Sequence, residues 1–340
     1  MEIKTFKGNY FEIGKQQGKI YREKEVNFNL PLKPKMFDAQ LKIYKKHYPE
    51  LLEELKGIAE GGGFDEKKVI NTFICIELLW ATQKYGLQHG CTIIGVQNKN
   101  GFFVGRNFDW PPGCEKTFQA YKVINSSANS YITVTERGFG VTHNQKNLYY
   151  LPEDVINDKG LFISLLVAHH KNWSYGLSRI HINKLIGEKC SRVEEALEIF
   201  NKIPVCCPNN YFIADKHGKM AVVEHTSGKR FKIIYPENDV MIKTNHYLDP
   251  EYAKEDKALR YRLFPNTKRR YRTARKKIMS IKETFNFSDV IKILGDTKSP
   301  VCANKRYVKT IWTLALDMKN KKYKLYWDLF GKRKEQKLEI

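Results

Sequence analysis

A cysteine, an arginine and an aspartate lie within one short stretch of this sequence, in a pattern that suits a nucleophilic site. Cys91 opens a run of β-prone residues, and the next run carries Arg106, Asn107 and Asp109. A nearby cation favours the thiolate form of a cysteine, which is its nucleophilic form. Cys91 is therefore the candidate nucleophile, with Arg106 and Asp109 beside it.

The turn between the two runs predicts a β-hairpin. Asn100-Gly101 lies between them, and an Asn-Gly pair flanked by β-prone residues is a strong hairpin signal. If Asn100-Gly101 is a two-residue turn, Cys91 lies opposite Trp110. If residues 98–101 form a four-residue loop, Cys91 lies opposite Phe108. Both registers are expected to place the thiol beside the polar side chains of the second strand.

Cys91 also has an alternative interpretation as a small core residue. Cysteine is among the most buried residue types, and a single cysteine in a β-rich run usually packs in the core. The nucleophile hypothesis therefore needs support from other segments of the chain.

Two later segments place an asparagine next to a predicted strand. Asn157 begins an Asn-Asp-Lys-Gly turn that leads into an apolar run at residues 161–168, and such a run is typical of a fully buried strand. The same four residues are also ordinary turn chemistry. Asn245 follows a β-prone run at residues 240–244.

With these segments, the sequence resembles the cysteine N-terminal-nucleophile (Ntn) hydrolases, a group that includes penicillin acyltransferases, choloylglycine hydrolases and acid-ceramidase-like amidases. The resemblance rests on the Cys91 run, on Asn-Asp-Lys-Gly-Leu at residues 157–161, on a second hairpin signal at residues 210–224, and on the strand that ends in Thr244-Asn245. These segments occur in the order in which the family has them.

The resemblance implies that the precursor cleaves itself between Gly90 and Cys91. Residues 1–90 would then be a small chain or propeptide, and residues 91–340 would carry the nucleophile. In the family the freed α-amino group of the cysteine is the base. An α-amine with a pKa of roughly 7.7–8.0 and a thiol with a pKa of roughly 8.5 can exchange a proton near neutral pH. Cleavage is therefore expected to activate the enzyme.

The resemblance also implies roles for four polar residues. Asn157 and Asn245 are expected to stabilise the oxyanion, and Asn245 is also expected to orient the nucleophile. Arg106 and Asp109 are expected to orient the amine and the thiol.

A basic segment supplies a candidate substrate-binding residue. Arg269-Arg270-Tyr271-Arg272 resembles an arginine-containing region of bile-salt hydrolases, which implies that Arg270 binds substrate, with Arg269 and Arg272 open as alternatives. His246 is expected to be a neighbour of the site and no member of a Cys-His dyad.

Composition limits the partners of the protein. The 340 residues carry a formal net charge of +22, which permits binding to nucleic acid or to an anionic surface. The excess is spread along the chain and is densest at residues 257–277, where a helical charge run is more often simply solvated. The sequence lacks zinc-finger spacing and ribonucleoprotein-type aromatic motifs, so nucleic acid is the minority interpretation.

The cysteine pattern predicts free thiols and no metal or other cofactor. The seven cysteines are odd in number and show no Cys-x-x-Cys spacing, which favours a reducing compartment over a disulfide framework or a thiolate zinc site. The pair Cys206-Cys207 is expected to pack beside a turn. No signal-peptide pattern and no bilayer-spanning apolar run are visible, so a cytoplasmic protein is expected.

The order of predicted elements gives the fold class. Residues 1–90 have mainly helical periodicity, and hairpin signals then alternate with helical segments, with a further strand near residues 140–142. We predict an α+β protein, a four-layer αββα sandwich of two antiparallel sheets between helical layers. No linker or repeat divides the chain, which indicates one domain over residues 1–340.

The expected function is a self-processing amidohydrolase or acyltransferase that acts on the linear amide bond of an N-acyl small molecule, with homo-oligomerisation left open. Two alternatives stand beside it. An unprocessed chain would use the Ntn fold only to bind a ligand, and a basic binder would recognise nucleic acid or an anionic surface.

Overall fold

The computed structural model describes residues 1–82, 90–116, 118–136, 151–257 and 266–340. Within these residues the chain forms nine α-helices and fifteen β-strands. The strand expected near residues 140–142 lies outside the described residues. Among the described helices, none combines the length and the hydrophobicity that crossing a membrane requires.

The helices are α1 (Tyr10–Glu23), α2 (Pro34–His47), α3 (Pro49–Gly62), α4 (Glu66–Thr82), α5 (Arg179–Lys189), α6 (Val193–Lys202), α7 (Pro250–Ala253), α8 (Thr267–Met279) and α9 (Phe287–Leu294). The strands are β1 (Lys4–Gly8), β2 (Gly90–Asn98), β3 (Gly101–Trp110), β4 (Gln119–Asn125), β5 (Tyr131–Thr135), β6 (Asp154–Asn157), β7 (Leu161–Val167), β8 (Asn209–Asp215), β9 (Met220–Ser227), β10 (Arg230–Ile234), β11 (Val240–Lys243), β12 (Asn304–Lys305), β13 (Val308–Asp317), β14 (Lys322–Trp327) and β15 (Lys334–Leu338).

The described strands form two sheets. The first has the order β1-β4-β5-β6-β7-β8-β9-β10, and the second has the order β11-β2-β3-β13-β14-β15, with β12 paired to β13. Neighbouring strands run antiparallel except β1 and β4, which are parallel. The N-terminal segment, predicted as mainly helical, thus also contributes the edge strand of the first sheet.

Three apolar clusters show how the layers stack. Helices α1–α6 pack on one face of the first sheet, and the second cluster fills the space between the two sheets. In the third cluster, Ala274 and Ile278 of α8 and Val290 of α9 pack on the outer face of the second sheet. Ile93 lies in the inter-sheet cluster and Ile94 in the outer one, because successive strand residues point to opposite faces. The predicted four-layer αββα sandwich is confirmed.

Glycines let two N-terminal helices approach closely. A Cβ atom at Gly14 would lie 1.9 Å from the carbonyl oxygen of Glu54, and one at Gly18 would lie 2.2 Å from that of Ile58. Only residues without a side chain permit the backbones of α1 and α3 to cross at this distance. The Gly-x-x-x-Gly spacing near the N-terminus therefore serves helix packing.

Candidate active site

The hairpin of β2 and β3 has the register in which Cys91 lies opposite Phe108, but its loop is only Lys99-Asn100, because Asn98 and Gly101 belong to the strands. Asn98 pairs with Gly101, and Cys91 pairs with Phe108. The Asn98 side chain donates hydrogen bonds to two carbonyl groups in the segment before α9, at 2.7 and 2.9 Å, and accepts one from the Asn100 N–H at 2.9 Å. These bonds anchor the loop and so favour this register.

Strand pleating divides the polar residues of β3 between two faces. Cys91 and Arg106 point into the space between the sheets, whereas Asn107 and Asp109 point toward α8 and α9. Asn107 donates to the carbonyl groups of Leu294 and Val301, at 2.8 and 3.0 Å, and thereby holds the outer helical layer. The expectation that Asn107 and Asp109 flank the thiol is therefore wrong, and of the three polar residues Arg106, Asn107 and Asp109 only Arg106 shares the face of the thiol.

Arg106 is fully buried beside the thiol. Its Nη2 lies 3.7 Å from Cys91 Sγ and donates to the Leu165 carbonyl oxygen at 3.3 Å. Its Nε lies 2.9 Å from Asp154 Oδ1 and 3.1 Å from Ser164 Oγ. Within the described residues Nη1 has no hydrogen-bond partner. Arg106 therefore presents one unused buried donor in the inter-sheet space next to the sulfur.

Aromatic rings and a second carboxylate fix this guanidinium. Phe108 and Trp312 stack with ring centroids 3.9 Å apart, and the guanidinium carbon of Arg106 lies 4.7 and 5.3 Å from the two centroids. Trp312 Nε1 donates to Asp154 Oδ2 at 2.9 Å. Sequence reasoning missed Asp154, which enters the site only because β6 lies opposite β3 across the inter-sheet space.

Burial controls the protonation of the nucleophile in the intact chain. Burial raises the pKa of the Cys91 thiol to about 11. The guanidinium of Arg106 lowers this pKa by less than burial raises it, and the carboxyl groups of Asp109 and Glu153 raise it further. The expected effect of the cation on the thiolate is thus outweighed, because an ionised sulfur loses its hydration in this 2% exposed position. Intact Cys91 is therefore a neutral thiol near pH 7.

Asn245 binds the backbone nitrogen of the nucleophile. It lies just beyond the end of β11, and its Oδ1 accepts a hydrogen bond from the Cys91 N–H at 2.8 Å and another from Arg270 Nη2 at 2.8 Å. Its Nδ2 donates to the Val167 carbonyl oxygen at 2.9 Å. The structure therefore brings Asn245 to the nucleophile, where it positions the nitrogen atom of Cys91.

Arg270 lies in the site because of the periodicity of α8. Its Nη1 donates to the Cys91 carbonyl oxygen, and to Thr92 Oγ1 at 2.9 Å. Arg269 and Arg272 are exposed on the same helix. The inward positions of this helix follow helical spacing: Thr267, Arg270, Ala274 and Ile278. Of the three candidate arginines, Arg270 is the one that reaches the site, and it donates hydrogen bonds to the nucleophile strand and to Asn245.

Asp109 borders the peptide bond that precedes Cys91. Its Oδ1 accepts a hydrogen bond from Thr310 Oγ1 at 2.7 Å, and Oδ2 lies 4.0 Å from Arg270 Nη1 with no hydrogen-bond partner in the described part of the chain. Burial raises the pKa of Asp109, and Arg270 acts against this rise. A Cβ atom at Gly90 would lie 3.0 Å from Asp109 Oδ2 and 3.1 Å from Arg270 Nη2. Gly90 therefore leaves the room in which these two side chains approach the nucleophile.

The structure does not support the expected oxyanion role of Asn157. Its Nδ2 donates to the carbonyl oxygens of Gly187 and Cys190, at 2.8 and 2.7 Å, and its Oδ1 accepts from the N–H groups of Lys159 and Leu161. Both amide hydrogens are used in holding the end of α5 against the β6–β7 turn. The turn-forming interpretation of Asn157 is the one that the contacts bear out.

His246 takes no part in a Cys-His dyad. Its Nδ1 lies 3.0 Å from the hydroxyl oxygens of Thr244 and Thr267. Burial, together with Lys243 and Arg270, lowers the pKa of His246 to about 3. The ring is therefore neutral near pH 7 and is bound to threonines.

A cleft opens from the surface to the peptide bond before Cys91. Its volume is about 180 Å³, and Gly90, Asp109 and Arg270 line its inner end. Arg269 and Lys298 are among the residues around it. Positive charge therefore surrounds this cleft, which lies on the α8 side of the second sheet, opposite to the face from which the Cys91 sulfur projects.

Comparison with known proteins places these features in context. The sequence profile of the acyl-coenzyme A:6-aminopenicillanic acid acyl-transferase family matches residues 96–332, which is well over half of the chain. The match includes Arg106, Asp109, Asn245 and Arg270 and begins after Cys91. A search of curated proteins finds no match.

Solved structures include several similar folds. Penicillin V acylase from Agrobacterium tumefaciens is 17% identical with a TM-score of 0.51, over 73% of this chain and 86% of that chain. A conjugated bile acid hydrolase from Clostridium perfringens is 15% identical with a TM-score of 0.48, over 74% of this chain and 97% of that chain. The likeness to penicillin V acylase shows that the two chains share an Ntn-hydrolase fold.

Proposed function

Since this chain belongs to the acyl-coenzyme A:6-aminopenicillanic acid acyl-transferase family, we propose that it is a cysteine amidohydrolase or acyltransferase acting on the linear amide bond of N-acyl small molecules. One observation carries the proposal. The sulfur of Cys91 faces the guanidinium of Arg106, and the nitrogen of the same residue is bound by Asn245. A core cysteine would not need a buried guanidinium beside its sulfur.

Activation by self-cleavage between Gly90 and Cys91 is the first proposed step. Cys91 Sγ attacks the carbonyl carbon of Gly90, and the peptide C–N bond breaks so that the nitrogen becomes the α-amine of Cys91. Water then hydrolyses the thioester, which leaves a carboxylate on Gly90 and restores the thiol. Residues 1–90 become the small chain, and residues 91–340 carry the nucleophile.

Turnover then uses the new amine as the base. The amine takes the thiol proton and later gives it to the leaving amine of the substrate, because the pKa values of an α-amine and a thiol lie close together. Asn245 Oδ1, which binds this nitrogen in the intact chain, continues to orient it. Asp109 Oδ2 accepts a hydrogen bond from the amine in the space vacated by Gly90.

Stabilisation of the oxyanion is assigned to Arg106. Its Nη1 is a buried donor without a hydrogen-bond partner among the described residues, and it lies on the same face as the thiol. One such donor contributes roughly 3–4 kcal/mol in other enzymes. Water attacking the acyl-enzyme gives hydrolysis, and a second amine attacking it gives acyl transfer.

The basic cleft supports a preference among N-acyl substrates. Arg269, Lys298 and Lys305 line the cleft that leads to Gly90 and Asp109. Separation of Gly90 from Cys91 would open this cleft toward the new α-amine, and an anionic group on the substrate would then be attracted to it. We therefore place N-acyl amino acids and related anionic amides ahead of neutral amides.

Mass spectrometry and an activity screen test the proposal together. Purified protein is expected to contain a fragment that begins at Cys91, and Cys91→Ala is expected to remain intact and to release no amine from N-acyl amino acids, bile-salt conjugates or penicillins. An intact wild-type chain would remove the amine base, and amine release by Cys91→Ala at the wild-type rate would refute the assignment of the nucleophile.

A further inference from the structure

Two adjacent cysteines and a glutamate form a buried cluster outside the candidate active site. Cys206 Sγ and Cys207 Sγ lie 3.0 Å apart. A carboxylate oxygen of Glu77 and the two sulfurs all lie within 4.8 Å of one another. Cys206 is 0% exposed, Cys207 is 3% exposed and Glu77 is 2% exposed. Three potential metal ligands therefore converge in the interior.

We propose that Glu77, Cys206 and Cys207 bind a thiophilic divalent metal ion of the zinc type. Thiolates bind zinc strongly, and carboxylate oxygen is an accepted third ligand. No zinc-site spacing is visible in the sequence, because zinc sites are recognised by separated cysteine pairs and here the two cysteines are adjacent. The inference is independent of the proposed amidase activity.

The carboxylate is held in place by a neighbouring arginine. Arg179 Nε donates to Glu77 Oε1 at 2.8 Å, and the Arg179 backbone N–H donates to Oε2 at 2.7 Å. Each oxygen keeps a further lone pair for a metal ion. A ligand oriented by a second layer of hydrogen bonds is typical of protein metal sites.

The backbone that carries the sulfurs is also fixed. The Cys206 N–H donates to the Leu177 carbonyl oxygen at 2.8 Å, and the Ser174 N–H donates to the Cys206 carbonyl oxygen at 3.1 Å. The two cysteines form one apolar cluster with the buried Leu78, and the partly buried Met36 packs against it. The cluster is therefore preformed and chemically soft.

Charge balance favours a divalent ion. Glu77 and Arg179 already form a buried ion pair that is neutral as a unit. Two thiolates add two negative charges in a region where an unpaired buried charge is very unfavourable. A divalent cation compensates the two charges, and each thiol releases one proton to solvent when the ion binds.

Binding requires a small opening of the thiol pair. Two sulfurs at about 2.3 Å from one tetrahedral zinc ion lie roughly 3.8 Å apart. A side-chain rotation at either cysteine supplies the difference from the observed contact. A disulfide is the less suitable product, since the Cα atoms of adjacent residues are about 3.8 Å apart, below the usual disulfide range, and such bonds are strained and easily reduced.

The proposed site joins two parts of the chain. Glu77 lies on α4, which precedes Cys91, and the two cysteines lie in the loop before β8. A bound ion would therefore connect segments on either side of the proposed cleavage position. Metal binding is expected to raise the unfolding temperature of the full chain.

Zn²⁺ and Co²⁺ are suitable probes of the site. Full-length protein, prepared with reductant and freed of metal, is expected to bind about one Zn²⁺ per chain by elemental analysis. Co²⁺ is expected to give sulfur-to-cobalt charge-transfer absorption. Cys206→Ser and Cys207→Ser should each weaken Zn²⁺ binding at least tenfold and reduce the absorption, and Cys190→Ser, a buried cysteine outside the cluster, should change neither.

Several outcomes would overturn the inference. These are wild-type protein that shows no thiolate–cobalt absorption, absorption that persists unchanged in both cluster variants, and a Cys206–Cys207 disulfide found in protein purified under reductant. Circular dichroism of each variant separates loss of ligand from loss of fold, and the conservative serine substitutions keep the side-chain volume nearly constant.

Discussion

At the residue scale, the candidate site is built around three atoms of Cys91, each of which contacts a different side chain. The sulfur of Cys91 contacts Arg106, its nitrogen binds Asn245, and its carbonyl oxygen binds Arg270. The sulfur lies on one face of the strand and Arg270 approaches from the other. Side chains from both faces of the second sheet therefore contact Cys91.

Substitutions of Asn245 and Asn157 distinguish a residue that positions the nucleophile from one that stabilises the fold. We expect Asn245→Ala to lower the turnover rate roughly 100-fold, because a misplaced nucleophile loses its alignment. We expect Asn157→Ala to cost about 1–3 kcal/mol of the free energy of unfolding, since it removes the four hydrogen bonds that hold the end of α5 against the β6–β7 turn. Steady-state kinetics and urea denaturation measure the two effects, and the opposite pattern would restore Asn157 to the site.

A substitution at Gly90 that adds one methyl group tests whether Asp109 and Arg270 take part in the cleavage. In Gly90→Ala the added methyl group would meet Asp109 Oδ2 at 3.0 Å and Arg270 Nη2 at 3.1 Å, so both side chains must shift. We expect cleavage before Cys91 to slow at least tenfold while the protein stays folded. Gel electrophoresis over time after synthesis follows the cleavage, and processing at the wild-type rate would show that these side chains play no part in it.

At the scale of elements, helix and strand periods select the site residues. The 3.6-residue period of α8 turns Arg270 inward and leaves Arg272 exposed. The two-residue period of β3 turns Arg106 toward the thiol and Asn107 away from it. Residue type alone could not show that Arg270 rather than Arg272, and Arg106 rather than Asn107, faces the site.

A matched pair of arginine substitutions tests the role of α8. We expect Arg270→Ala to lower the rates of processing and turnover roughly 100-fold, because the nucleophile strand and Asn245 lose a shared donor. Arg272→Ala, on the exposed side of the same helix, should leave both rates within twofold of wild type. Equal losses in the two variants would mean that helix charge matters and the specific contacts do not. Quantitative gels and kinetics supply the two rates.

At the scale of the whole molecule, the segment before Cys91 is held by buried charges as well as by apolar packing. Lys184 Nζ lies 2.7 Å from Glu54 Oε2 of α3 and also binds Glu188. Tyr10 and Tyr48 donate to Glu188 from the N-terminal side. A cut between Gly90 and Cys91 leaves all these contacts in place, so the two chains are expected to stay associated.

Removing the central cation tests this network. Lys184→Ala should lower the free energy of unfolding by about 3–5 kcal/mol, because it leaves two buried carboxylates without their cation. Lys56→Ala, which removes an exposed pair with Glu53, should cost less than about 0.5 kcal/mol. Urea denaturation of both variants gives the comparison, and a similar small cost for Lys184 would contradict a structural role for the network.

The class of fold, the nucleophile candidate and the hairpin that carries it could be predicted from the amino-acid sequence, because hydrophobic period, turn chemistry and residue type act over short distances along the chain. The sequence also indicated Arg106, Asp109, Asn245 and Arg270, which the structure brings to the two faces of the strand around Cys91. The three-dimensional packing was needed to establish the register of the hairpin, the separation of Asn157 from the site, the position of Asp154 beside Arg106, and the convergence of Glu77, Cys206 and Cys207. Each of these depends on which strand or helix packs opposite another, and such long-range contacts leave no spacing signal in the sequence.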